Sequence, residues 1–214
     1  MRSAAKRAVF IAVDVFIIVM IVLSGALGIF ETVGSLWQSG LRRFIFFTVD
    51  SNILAALSAL VALPFKIRRL IRGRPLPMPV LILGLASTCA VTVTFLTVIL
   101  FLGPTIGFST MYVGNSFWLH LICPLLCIVS FVFDSESDKR IRIPHALFAL
   151  LPVLIYGAVY FMEVIVIGGW QDFYGFNAGG FWYVSAIVML AATFLIALGL
   201  RALENAVSVI RRKR

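Results

Sequence analysis

Charge is what this sequence has least of. Only 13% of its 214 residues are Asp, Glu, Lys or Arg, whereas 62% are hydrophobic. An ordinary soluble domain is about one quarter charged and about half apolar. A chain this poor in charge cannot cover a water-facing surface, which excludes a soluble globular protein. Cysteine is scarce as well. Cys89, Cys123 and Cys127 all fall inside apolar runs, and an odd count at membrane depth excludes a disulfide framework. They read as small packing residues. Acidic residues number nine against eighteen basic, for a net charge of +9. In a folded soluble domain that excess would point to nucleic acid. Here the basic residues border apolar runs, and nucleic acid is not the expected partner. No internal repeat and no low-complexity tract is present.

What is abundant is apolar sequence of membrane-spanning length. A bilayer core of about 30 Å takes roughly 20 helical residues to cross. Runs of that size recur over Val9 to Phe30, Phe44 to Phe65, Val80 to Leu102, Phe117 to Phe133, Ile143 to Ile167 and Phe181 to Leu200. Together they leave no room for a soluble domain, so residues 1–214 read as one integral membrane domain. The fold class expected is an all-α membrane protein, a six-transmembrane-helix bundle. The basic start before the first run has the outline of a secretory signal. Its run is too long for that and five more spans follow, so it reads as an uncleaved first helix.

Lys and Arg alternate along the chain. Arg2, Lys6 and Arg7 precede the first span, Lys66, Arg68, Arg69, Arg72 and Arg74 follow the second, and Lys139, Arg140 and Arg142 follow the fourth. Arg201, Arg211, Arg212, Lys213 and Arg214 lie beyond the sixth. Only Arg42 and Arg43 fall in the other connections, so the bias is sixteen against two. That pattern places both termini in the cytoplasm, and a bacterial cytoplasmic membrane is the expected setting. The tail from Ile210 to Arg214 reads as a solvated anchor, able to touch anionic head groups.

Ionisable side chains are expensive in hydrocarbon, so each one inside a span is a candidate functional residue. Asp14, Asp50, His120 and Glu163 qualify. Glu163 lies near a span end, where a carboxylate reaches water. Asp14, about two turns in, can reach outward to Lys6 or Arg7. The second span is denser, with Thr48, Asp50, Ser51 and Asn52 close together. On a helix Thr48, Ser51 and Asn52 share one face, whereas Asp50 is rotated about 200° from Thr48. Polar groups on two faces predict that this span is central. Ser51 and Asn52 suit interhelical hydrogen bonds at least as well as catalysis. Ser87, Thr88, Thr92, Thr94 and Thr97 on the third span read as packing and back-bonding to helix carbonyls.

In the fourth span Pro124 has no N–H for the carbonyl four residues earlier, which belongs to His120. The helix is expected to open there and to line a polar pocket. His120, Cys123 and Cys127 share a face, but no second ligand cluster exists, so neither a metal nor another cofactor is expected. At 1.5 Å per residue, Thr48 and His120 both lie about 7.5 Å below the same membrane boundary. A hydroxyl and an imidazole at one level are the minimum parts of a nucleophile and its general base.

Phe47-Thr-Val-Asp-Ser-Asn-Ile-Leu54 and Trp118-Leu-His-Leu-Ile-Cys-Pro124, with Asp134 at the far end of the fourth span, resemble the bacterial branch of the androgen-induced-gene membrane protein family. The animal members are intramembrane threonine hydrolases of fatty acid esters of hydroxy fatty acids. The resemblance implies Thr48 as nucleophile and His120 as general base, acting on a lipid or fatty-acyl ester substrate. Asn52 is the candidate oxyanion donor, and Asp50 or Asp172 the candidate for orienting the histidine. The connection Gly168-Gly-Trp-Gln-Asp-Phe-Tyr-Gly-Phe-Asn-Ala-Gly-Gly180 has the character of a lid or of a belt of interfacial anchors. Two other readings of the residues stay open: a small proton-coupled carrier using Asp14, Asp50 and His120, and a lipid-binding bundle without turnover.

Overall fold

The computed structural model describes residues 2–30, 41–135 and 140–212. Among them there is no strand, and six helices are long and apolar enough to cross a membrane. They are α1 (Arg2–Phe30), α2 (Phe47–Arg72), α3 (Met78–Ile106), α4 (Asn115–Asp134), α5 (Ile143–Ile167) and α6 (Trp182–Arg212). The protein is an all-α membrane protein. Lys139, Lys213 and Arg214 lie outside the described residues.

The helices overrun the apolar runs, chiefly at the basic end. Helix α2 continues from Phe65 to Arg72, and α6 from Leu200 to Arg212. Lys, Arg and Glu are good helix formers once a turn has left the hydrocarbon, so hydropathy marks the membrane boundary and not the helix end. Helix α2 stops where Gly73 takes φ 67°, a left-handed conformation that costs glycine nothing. Its N–H caps the Arg69 carbonyl at 2.9 Å. Pro75 and Pro77 then keep the short link to α3 extended.

The central helix is α3, which corrects the expectation that the second span would be central. In its apolar stretch 61% of the residues are buried, against 33% for α2. Each of three core clusters takes residues from it. Leu85 and Cys89 pack with Phe131, Ala149 and Ala197. Val91 packs with Ile17, Ala55 and Leu119, and Ala90 and Val93 with Phe47 and Val153. The small residues of α3 are the reason: Gly84, Ala86, Cys89 and Ala90 let neighbouring backbones come close. Leu57, Leu60 and Val61 of α2 and Ile155, Val159 and Val166 of α5 point outward, as lipid-facing side chains should.

The basic end is held by buried charge. Lys66 of α2 lies 2.5 Å from Asp14 of α1 and 3.1 Å from Asp134 of α4. Its ammonium also donates to Ser130 Oγ at 3.1 Å, and Ser130 donates to Asp14 at 2.7 Å. Arg69 pairs with the Asp134 carboxylate and donates to its backbone carbonyl. Asp14 therefore reaches inward to Lys66 and not outward to Lys6. Lys66 and Arg69 are almost wholly buried, at 6% and 1% exposure, so two of the cations counted as connection residues belong to the bundle interior. The face that carries Ser51, Asn52, Ala55, Ser58 and Ala62 continues in helical register to Lys66 and Arg69, and that register was the available signal.

Candidate functional site

At the other end of the bundle the chain enters α2 through a single 3-10 turn, Leu41–Ile45, and an extended Phe46. Thr48 is therefore in the first turn of α2, half-buried, with its carbonyl engaged twice: Ser51 Oγ donates to it at 3.1 Å and Asn52 Nδ2 at 2.8 Å. Asn52 is fully buried, and Nδ2 donates also to the Leu119 carbonyl of α4 at 3.1 Å. One amide nitrogen thus ties the backbone of Thr48 to the residue that precedes His120. Both amide hydrogens are used in doing so, which removes Asn52 as an oxyanion donor and makes it the tie between α2 and α4. Its Oδ1 has no hydrogen-bond partner. Ser51 shares a 2.9 Å hydrogen bond with Thr94 of α3, which is the interhelical role its residue type favours.

Residues Trp118–Ile122 form a π-helical turn immediately before Pro124, consistent with the missing proline N–H. His120 sits in this wide turn, half-buried. Its Nδ1 lies 2.7 Å from the Met111 carbonyl. A carbonyl only accepts, so Nδ1 carries the proton and the neutral ring keeps its lone pair on Nε2. This is the tautomer a general base needs. The orienting group is a main-chain oxygen in the link between α3 and α4, and neither Asp50 nor Asp172 supplies it. Side-chain patterns carry no signal for such an acceptor. Thr48 and His120 make no hydrogen bond with each other.

The Thr48 hydroxyl instead meets Tyr174, from the connection between α5 and α6. The Tyr174 oxygen also faces the Phe47 amide and the Tyr156 hydroxyl, and burial pushes the phenol up to about 12, so it stays neutral. Tyr156 donates to the Ile45 carbonyl at 2.7 Å and packs on Phe47. Asp50 is half-buried and lies on the tyrosine side, where its charge acts on Tyr174. Asp172 is the staple of the connection. It accepts from Tyr160 Oη at 3.0 Å, from the Phe176 amide at 2.7 Å and from the Asn177 amide at 2.8 Å. The connection therefore covers the N-terminus of α2 as an ordered aromatic cap. Replacing Asp172 with Ala removes three hydrogen bonds to a charged acceptor. The Phe176 and Asn177 amides are expected to exchange with deuterium about ten- to a hundred-fold faster, measured by mass spectrometry in micelles.

All three cysteines are free and buried. Among the described residues no group of three or more His, Cys, Asp or Glu side chains converges as metal ligands. Comparison with protein-family models, with curated proteins and with solved structures found no match.

Proposed function

We propose that this protein is an intramembrane lipid ester hydrolase, with Thr48 as nucleophile and His120 as general base. The observation that carries the reading is the fixed tautomer of His120, whose Nδ1 is held by Met111 while Asn52 ties its helix to the turn bearing Thr48. His120 Nε2 takes the proton as Thr48 Oγ bonds to the acyl carbon. The tetrahedral oxyanion collapses, and the alcohol leaves with the proton from the imidazolium. Water, deprotonated by the same nitrogen, then attacks the acyl-threonine and releases the fatty acid. The neutral Tyr174 hydroxyl is our candidate for the oxyanion donor. For this the Tyr174 hydroxyl must leave Thr48 when substrate enters, and many apo sites assemble their catalytic hydrogen bonds only on binding.

The resemblance of the Thr48 and His120 segments to the androgen-induced-gene membrane protein family supports the same assignment and a fatty-acyl ester substrate. The alternating basic residues support cytoplasmic termini, and a bacterial cytoplasmic membrane is the setting we propose. Purified protein in micelles should release the alcohol from a fluorogenic medium-chain ester. Thr48→Ala should fall to background while Thr48→Ser keeps measurable turnover. Equal turnover in wild type and Thr48→Ala would overturn the reading.

One observation favours a carrier as a second reading: the buried cluster of Asp14, Lys66, Arg69 and Asp134 at the basic end. Against it, Asp14, Lys66, Arg69 and Asp134 are paired two and two with one another. Proton flux into proteoliposomes that persists in Thr48→Ala and stops in Asp14→Asn would favour the carrier.

A further inference from the structure

Two wide turns bracket the link between α3 and α4. Residues Val98–Leu102 form a π-helical turn before Pro104, as Trp118–Ile122 do before Pro124. Each proline lacks the N–H that would bond the carbonyl four residues earlier. Between the two turns the helix breaks at Gly107, whose φ of 105° is open to glycine and to few other residues. One helical turn, Phe108–Met111, follows and ends on the carbonyl that holds His120 Nδ1. Its Thr110 and Met111 amides donate to the Gly107 carbonyl at 3.1 and 3.2 Å. Those bonds lie within the link, so they shape the turn without fixing its place on the bundle.

A ring against a glycine does fix it. The Phe108 ring lies so close to Gly103, a buried residue in the last turns of α3, that a Cβ there would come under 3.0 Å from three ring carbons. Only glycine fits beneath the ring. Tyr112 stacks on the same ring, with centroids 6.0 Å apart and planes at 15°, and meets Phe117 of α4 edge-on at 6.5 Å. Phe108 is therefore held from α3 on one side and, through Tyr112, from α4 on the other. Because it is 45% exposed, it adds little to the core, and its consequence is where the Met111 carbonyl sits. We propose that the Gly103–Phe108 contact positions His120: it holds the Met111 carbonyl at Nδ1 and so keeps the reactive lone pair on Nε2. Both act through Met111 and are positioning residues. Their effect on rate rests on the hydrolase reading, whereas their effect on the tautomer does not.

The test is nitrogen-15 NMR of the full chain in micelles, labelled at histidine. His120 and His145 are the two histidines of the chain, and the His120 signals are those lost in His120→Gln. At about pH 8.5, two units above the ordinary histidine value, the wild-type ring should carry its proton on Nδ1. Gly103→Ala displaces the Phe108 ring and Phe108→Ala removes it. In each, the share of rings protonated on Nε2 should rise about three- to tenfold, the worth of one ordinary hydrogen bond. Ile106→Ala, in the same link and 53% exposed, should leave the wild-type spectrum. Ester turnover in the two disrupting variants should show kcat lowered about tenfold with KM little changed, since a base that loses its aim loses rate and not binding. A wild-type ring protonated on Nε2, or a wild-type His120 spectrum in both folded variants, overturns the proposal. Should Gly103→Ala fail to fold, Phe108→Ala, a change at a half-exposed side chain, decides alone. A tautomer shift in the variants without ester turnover in the wild type supports the positioning role and overturns only the hydrolase reading.

Discussion

Lys66→Met is expected to destabilise the bundle by about 3–5 kcal/mol, seen as an early thermal melt in micelles, because it breaks a buried ion pair from one side. Lys66 is the shared cation of Asp14 and Asp134. Without it Asp14 keeps the Ser130 hydroxyl as a hydrogen-bond partner, but its carboxylate loses the counter-ion that offsets its desolvation. The double variant Lys66→Met, Asp14→Leu should recover much of the loss, since removing both charges removes the desolvation cost as well. Asp134 remains paired with Arg69 in both variants. A double variant as unstable as the single one would show that Lys66 acts through its packing and not through its charge.

His120→Gln is expected to lower kcat by about 10² to 10⁴, the usual worth of a positioned general base, with KM changed little. Glutamine can still donate to the Met111 carbonyl, so the local structure is retained while the basic nitrogen is lost. For His120→Ala, added imidazole should restore part of the rate, a result that a purely structural histidine would not give. Ester turnover over a range of imidazole concentrations reads both effects. The same variants leave the charge cluster untouched, so their melting temperatures should stay close to that of the wild type.

Hydropathy alone made six spans legible, and Ile143–Ile167 matches its expected limits residue for residue. Proline chemistry made the open turn at His120 legible as well. Polar density does not mark the inner helix: α2 carries the polar cluster, yet α3 is the more buried. Small residues decide which helix others can surround, and Gly84, Ala86 and Ala90 put α3 there. Lys66 and Arg69 were hidden by their residue type. A cation near a span end normally reaches to water, and what holds these two inside are Asp14 and Asp134, far away along the chain. Tyr174 and Met111 were not legible at all, because each acts through a fold-dependent contact with α2 or with His120.

The central claim is that Thr48 is the nucleophile and that His120 activates it. Its most direct test is treatment of the purified protein with an alkyl fluorophosphonate, followed by peptide mass spectrometry. The account predicts one phosphonylated residue, Thr48, with labelling lost in Thr48→Ala and slowed strongly in His120→Gln. Labelling that persists in Thr48→Ala, or that maps to another hydroxyl such as Ser51 or Ser130, would contradict it.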